Sequence, residues 1–408
     1  MAVTSSTRLA PATAKAAQVL TPEAARHVEQ HRRDIQHALS ADGLGERLLV
    51  VIGPCSIHDT ATAMDYAARL AAAAEKHADE LLVAMRVYIE KPRTTVGWKG
   101  LVHDPDLTQS QDSDLQKGLQ VSRDIMLRVA ELGLPVVTEM LSPLVIPFLD
   151  DVLSLGVIGA RTTESQTHRE LASDVPFPVG FKNGTDGSLG VAIDAIKASE
   201  RQHTLLSVAE DGGLVQRVSQ GNPDTFVVLR GGKAGPNYSP EHVKQAEEAM
   251  TKAGRPVRLV VDCSHGNSSK DYRNQGKVAA SVAQQFADGA PIAGLMIESN
   301  IRPGRQDIPA CGLSGLEYGV SVTDGCVGWE ETETILEQLA NSVKTRRAGA
   351  EVTVQEVEVE EEELEVEARN TVVEVVQARD TRRSSFHQLI EKIRPAITTM
   401  EIPLYAVE

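Results

Sequence analysis

The sequence predicts an α/β fold built as a (β/α)8 TIM barrel, on three observations. Eight short apolar, β-branched runs recur between residues 48 and 298, helical patterns separate most of them, and several runs are apolar on both alternating faces. Strands buried on both sides belong to parallel sheets, and strand–helix repetition of this length closes such a sheet into a barrel. Strands are expected at Leu48–Gly53, Leu81–Tyr88, Leu134–Thr138, Val157–Ala160, Val179–Phe181, Phe226–Leu229, Val257–Val261 and Ala293–Ile297. Helices are expected at Ala61–Ala78, Leu115–Glu131, Pro143–Leu153, Gly190–Ser199, Pro240–Lys252, Lys277–Ala287 and Glu330–Lys344.

Four segments surround or interrupt this plan. Residues 1–20 are rich in Ala, Ser and Thr, with Arg8 and Lys15 and no acid before Glu23, which reads as a mobile leader rather than a targeting peptide. Residues 21–47 form an N-terminal extension, with a helix at Pro22–Leu39. Thr21 is placed as its N-cap, and Pro22 sits where a missing N–H costs nothing. Within the barrel, 48–348, the runs His203–Val208 and Leu214–Ser219 flank Glu210-Asp211-Gly212-Gly213, a β-hairpin inserted before strand 6. Residues 349–408 are an acidic C-terminal tail of alternating Val and Glu, expected to be a solvated appendage.

Charge narrows the function classes. The 408 residues carry 41 Lys and Arg against 57 Asp and Glu, a net −16, which disfavours binding to a phosphate backbone. No run approaches the ~20 apolar residues of a membrane span. Four cysteines do not make a disulfide framework, so a cytoplasmic enzyme is expected.

Barrel chemistry sits where the strands end. On this reading the strand ends and the loops after them carry Arg86, Lys91, Arg93, Arg161, Lys182 and Arg230. Cations gathered at one rim repel one another unless an anion lies between them, and arginine suits phosphate and carboxylate. An anionic substrate with more than one charged group is therefore expected. Cys55, His265, Glu298 and Asp324 also fall at this rim. One sulfur, one imidazole and two carboxylates suit Mn2+, Fe2+, Co2+ or Zn2+ better than Mg2+ or Ca2+, although residue types alone leave the presence of a metal open.

At these positions the sequence resembles the type I DAHP synthases. The resemblance lies in Ile52-Gly-Pro-Cys-Ser-Ile-His-Asp59, Glu90-Lys-Pro-Arg-Thr-Thr-Val-Gly-Trp-Lys-Gly100, Gly159-Ala-Arg-Thr-Thr-Glu-Ser-Gln166 and Gly180-Phe-Lys-Asn-Gly-Thr-Asp-Gly187. It continues in Leu229-Arg-Gly-Gly232, Asp262-Cys-Ser-His-Gly-Asn-Ser-Ser-Lys270 and Ile297-Glu-Ser-Asn300. It implies condensation of phosphoenolpyruvate with erythrose 4-phosphate at the head of the shikimate pathway, with one divalent transition metal on Cys55, His265, Glu298 and Asp324. It implies phosphoenolpyruvate on Arg86, Arg161, Lys182 and Arg230, the sugar phosphate near Arg93 and Thr94, and Lys99 as a further substrate-binding residue. Lys91, expected to have its pKa lowered by neighbouring cations, and Glu139 are assigned proton transfer, beside His265. The resemblance further implies a homo-oligomer, dimer or tetramer, and an aromatic amino acid inhibitor near the N-terminal helix and hairpin. The rival readings are a related barrel using a pentose phosphate, a Schiff-base aldolase built on Lys182, and a catalytically dead paralogue that binds an effector or partner.

Overall fold

The computed structural model describes residues 7–93, 97–109, 114–309 and 311–349, so Thr94 and the tail beyond Gly349 lie outside the described residues. Eight parallel strands close a barrel: β1 (Leu48–Gly53), β2 (Leu81–Arg86), β3 (Val136–Glu139), β4 (Leu155–Ile158), β5 (Val179–Lys182), β8 (Thr225–Leu229), β9 (Leu259–Asp262) and β10 (Ile292–Glu298). Around the barrel they follow the order β1-β10-β9-β8-β5-β4-β3-β2, so β10 pairs with β1 and completes the ring. Among the described residues the remaining strands, β6 (Thr204–Val208) and β7 (Leu214–Val218), are the antiparallel hairpin expected from the Gly212-Gly213 turn.

Period-2 alternation sorts the strand residues into two layers. One apolar cluster holds Leu49, Val51, Leu82, Ala84, Val137, Leu155, Val157, Phe226, Val228, Val260 and Met296, which fill the barrel interior. The alternate residues, such as Val50, Val83, Val136, Val227 and Val261, belong to the larger cluster under the surrounding helices. Continuing the interior set by two residues along each strand reaches Arg86, Glu139, Arg230, Asp262 and Glu298. Lys182 stands in the same phase on β5. The alternation that packs the barrel thus also places its charged rim.

The surrounding helices are α3 (Thr60–Lys76), α4 (Leu115–Glu131), α5 (Gln166–Asp174), α6 (Gly190–Ser199), α7 (Pro240–Lys252), α8 (Gln275–Ala287) and a helix, α9, over residues 329–349. Asp59 and Asp114 cap α3 and α4 by accepting from Thr62 N and Lys117 N. The helix expected at Pro143–Leu153 is absent; the segment holds one 3₁₀ turn at Ile146–Phe148. Pro147 explains this, because a proline inside a helix lacks the required N–H and clashes with the preceding turn. α5 escaped the sequence reading because its only buried apolar residues are Leu171 and Ala172.

The N-terminal extension is α2 (Pro22–Ala38), capped by Thr21 Oγ1 accepting from Ala24 N at 3.2 Å. Its last turn places Ile35, Ala38 and Leu39 in the interior cluster, closing the barrel at the N-terminal ends of the strands. Within the segment expected to be a leader, Pro11–Ala17 forms a short helix, α1. Ala12 N donates to Glu210 O, and Lys15 reaches Glu210 at 2.8 Å and Asp150 at 2.9 Å. The acid-poor segment is held by the acids of the hairpin turn. No helix among the described residues is long and apolar enough to cross a membrane.

Candidate active site

The rim side chains do not stand as bare cations. Arg86 on β2 meets Glu298 on β10 at 3.1 Å, and both side chains are fully buried. Lys182 on β5 meets Asp262 on β9 at 2.8 Å, with Asp262 equally inaccessible. Each pair spans one intervening strand, β1 in the first case and β8 in the second. Side chains from alternate strands share a layer of a barrel, so strand order decides these partners. Arg86 also lies over the Tyr88 ring, 3.9 Å from its centroid, and its Nη1 is buried without a hydrogen-bond partner among the described residues.

A second group gathers where the β1 and β10 ends meet the loop before α9. The donor atoms of Cys55, Glu298 and Asp324 lie within 4.8 Å of one another. Lys91 Nζ donates to Cys55 Sγ at 3.0 Å and approaches Asp324 Oδ2 at 3.9 Å. Burial, then the Glu298 charge, pushes the Cys55 thiol up to about 12 against the pull of Lys91. Glu298, fully buried, and Asp324, whose side chain is largely exposed, are both held below the usual carboxylate range: desolvation opposes their charge, but nearby cations, including His265 and Lys91, outweigh it. A soft sulfur beside two hard oxygens, with a thiol that yields its proton only to strong local positive charge, is a donor set that fits a divalent transition metal.

His265 stands at the edge of this group. Its backbone φ of 55° is in the left-handed region, and its Nδ1 lies 2.9 Å from Asp262 Oδ2 without the alignment of a hydrogen bond. The three-residue cluster does not include it, although its charge acts on both Glu298 and Asp324. The expected lowering of the Lys91 pKa is reversed. Burial lowers it, but Cys55, Glu298 and Asp324 outweigh burial and raise it, because the neighbours of Lys91 are acids rather than cations.

The other expected residues divide by position. Arg230, half-buried, has its pKa lowered chiefly by burial; Asp262 opposes this, and the charge of Arg161 adds to it. Arg161 is exposed, as are Arg93 and Lys99. Arg93 donates to Trp98 O at 2.8 Å, and its charge also acts on Asp324. Glu139 is buried beneath Gly159, where a Cβ would fall 2.3 Å from its Oε1, so the loop after β4 needs glycine for this carboxyl to fit.

Sequence reasoning gave no role to Asp262 and Ser264, although both lie in a motif it singled out, and it missed Gln275. Ser264 Oγ donates to Glu298 Oε2 at 2.8 Å, while Gln275 hydrogen-bonds both backbone groups of Glu298. Asp262 had the same strand-end signal as its neighbours. Its role depends on a partner 80 residues away, which position alone does not reveal.

A closed parallel barrel with paired charges, further arginines and a soft–hard donor set at the carboxyl ends of its strands defines a barrel enzyme acting on anionic substrates. The model of the DAHP synthetase I family matches residues 28–337. The phenylalanine-inhibited phospho-2-dehydro-3-deoxyheptonate aldolase of Saccharomyces cerevisiae is 53% identical over 312 residues, 75% of this chain and 84% of the relative. The Tyr-sensitive enzyme of the same description from Escherichia coli is 50% identical over 81% of this chain and 92% of its own. The solved phospho-2-dehydro-3-deoxyheptonate aldolase of Francisella tularensis matches with a TM-score of 0.80 at 39% identity, covering 85% of this chain and 99% of that one. The chain belongs to the DAHP synthetase I family, whose reaction is the first step of the shikimate pathway.

Proposed function

We propose that this DAHP synthase joins phosphoenolpyruvate to erythrose 4-phosphate, with water, releasing inorganic phosphate and the seven-carbon phosphosugar. The reading is carried by one observation: Lys91 lies 3.0 Å from Cys55 Sγ, so the cationic rim and the donor cluster form a single site. The charge of Arg161 acts on Arg230, and a phosphate between them would relieve that repulsion. With Lys182 they hold phosphoenolpyruvate, while Arg86 and Lys182 address its carboxylate. Arg93, Thr94 and Lys99 hold the phosphate of the aldose. Cys55, His265, Glu298 and Asp324 are the residues that would hold a divalent transition metal, which supplies Lewis-acid polarisation of an aldehyde oxygen.

Lys91 stays protonated among acids and gives a proton to the alkoxide that forms as C3 of the enolpyruvate attacks the aldehyde carbon. Glu139 orients the water that adds at C2 before phosphate leaves. His265 acts through the donor set. A homo-oligomer, dimer or tetramer, belongs to the same reading, as does inhibition by an aromatic amino acid, which the names of the phenylalanine- and tyrosine-inhibited relatives support. Phosphate release should require both substrates, cease on chelation and return with Mn2+. Arg161→Ala should cut turnover by about 10²-fold or more. Full activity in excess chelator would remove the metal from this reading, and no phosphate release from the two substrates would end it. Repeating the assay with Phe, Tyr or Trp tests the inhibitor.

A further inference from the structure

Asp262 occupies a position that the proposed roles leave unused. Its carboxylate is inaccessible to solvent, and its Oδ2 lies 2.8 Å from Lys182 Nζ and 2.9 Å from His265 Nδ1. The other oxygen accepts Ser264 N at 2.9 Å, and Ser264 Oγ in turn donates to Glu298. One oxygen therefore has two claimants, one from each half of the site. Lys182 makes the aligned hydrogen bond, whereas His265 Nδ1 is in contact but out of line.

Resting on the proposed function, we infer that Asp262 is a positioning residue that couples the phosphoenolpyruvate cradle to the metal-side histidine by exchanging this oxygen between Lys182 and His265. When Lys182 turns to the carboxylate or phosphate of a bound anion, Asp262 Oδ2 is released to accept from His265 Nδ1. A histidine that donates one ring nitrogen to a carboxylate has its orientation and tautomer set and its other nitrogen made more basic. Anion binding in the cradle thereby strengthens metal binding, and linkage makes the effect reciprocal.

The test measures Mn2+ affinity by chelator competition and phosphoenolpyruvate affinity by calorimetry, without turnover. In wild-type protein, phosphoenolpyruvate should tighten Mn2+ binding. Asp262→Asn should weaken Mn2+ binding by about tenfold, and phosphoenolpyruvate should no longer tighten it. Lys182→Gln should tighten Mn2+ binding in the absence of phosphoenolpyruvate by about threefold more than Arg230→Gln does, since both remove one positive charge but only Lys182 holds Asp262. The excess should vanish in the Asp262→Asn background. A wild-type Mn2+ affinity in Asp262→Asn that phosphoenolpyruvate still tightens, or equal effects of Lys182→Gln and Arg230→Gln, would overturn the coupling while leaving the proposed function intact. If Asp262→Asn does not fold, the comparison of Lys182→Gln with Arg230→Gln decides alone. Wild-type protein that binds neither probe would overturn the proposed function and this inference with it.

Discussion

The two ends of the barrel interior are built from the same strands in the same alternation, yet they do opposite things. Toward the N-terminal ends, inward side chains such as Leu49, Leu82 and Val260 meet Ile35, Ala38 and Leu39 of α2 in an apolar plug. Toward the C-terminal ends, the next inward positions are Arg86, Glu139, Asp262 and Glu298, all buried polar groups. The plug gains free energy from removing apolar surface from water, while the rim must neutralise each charge it buries. Stability and chemistry are thus divided along the barrel axis. The last turn of the extension helix, with Leu39 just after it, belongs to the stabilising end.

The sharpest way to break this division is at the rim. Arg86→Leu leaves Glu298 buried without its 3.1 Å partner and should cost about 3–5 kcal/mol in chemical denaturation as well as activity. A loss below 1 kcal/mol would mean that the pair is not desolvated. Ile35→Ala, at a fully buried position in the plug, should cost roughly 2–5 kcal/mol while turnover per folded molecule is unchanged. Altered KM values in that variant would show that the two ends are not independent.

His31 on α2 offers a pH test of the same comparison. Burial, then the charge of His27, lowers its pKa from the ordinary 6.5 to about 4. The folded state therefore binds this proton less readily than the unfolded chain does. Stability from this residue is complete above pH 6.5 and falls as pH drops toward 4. Between pH 7 and 4.5, wild type should lose roughly 2–3 kcal/mol more than His31→Gln. Parallel pH profiles would contradict the assignment. The smallest expected effect is at the start of the same helix, where Thr21→Ala removes the cap on Ala24 N and should lower stability by about 1 kcal/mol, with activity unaffected.

Much of the architecture can be read locally. The β-branched runs mark all eight barrel strands, and the expected bounds of α4, α6 and α7 match the structure at both ends. Local pattern failed where it was weakest: apolar residues around Pro147 imitate a helix, and the polar α5 conceals one. At the site, strand-end position was enough to nominate Arg86, Lys182, Arg230 and Glu298. It was not enough to say which charge neutralises which, and so the direction of the Lys91 shift was misjudged.

What one-dimensional pattern settles here is the alternation, because the pleat sends every second side chain inward whatever the rest of the chain does. Pairing is different. Arg86 and Glu298 are 212 residues apart and meet only because β10 closes onto β1, leaving a single strand between their own. Barrel closure sets which strands share a layer, and in a buried layer the neighbour two strands away decides whether a charge is neutralised.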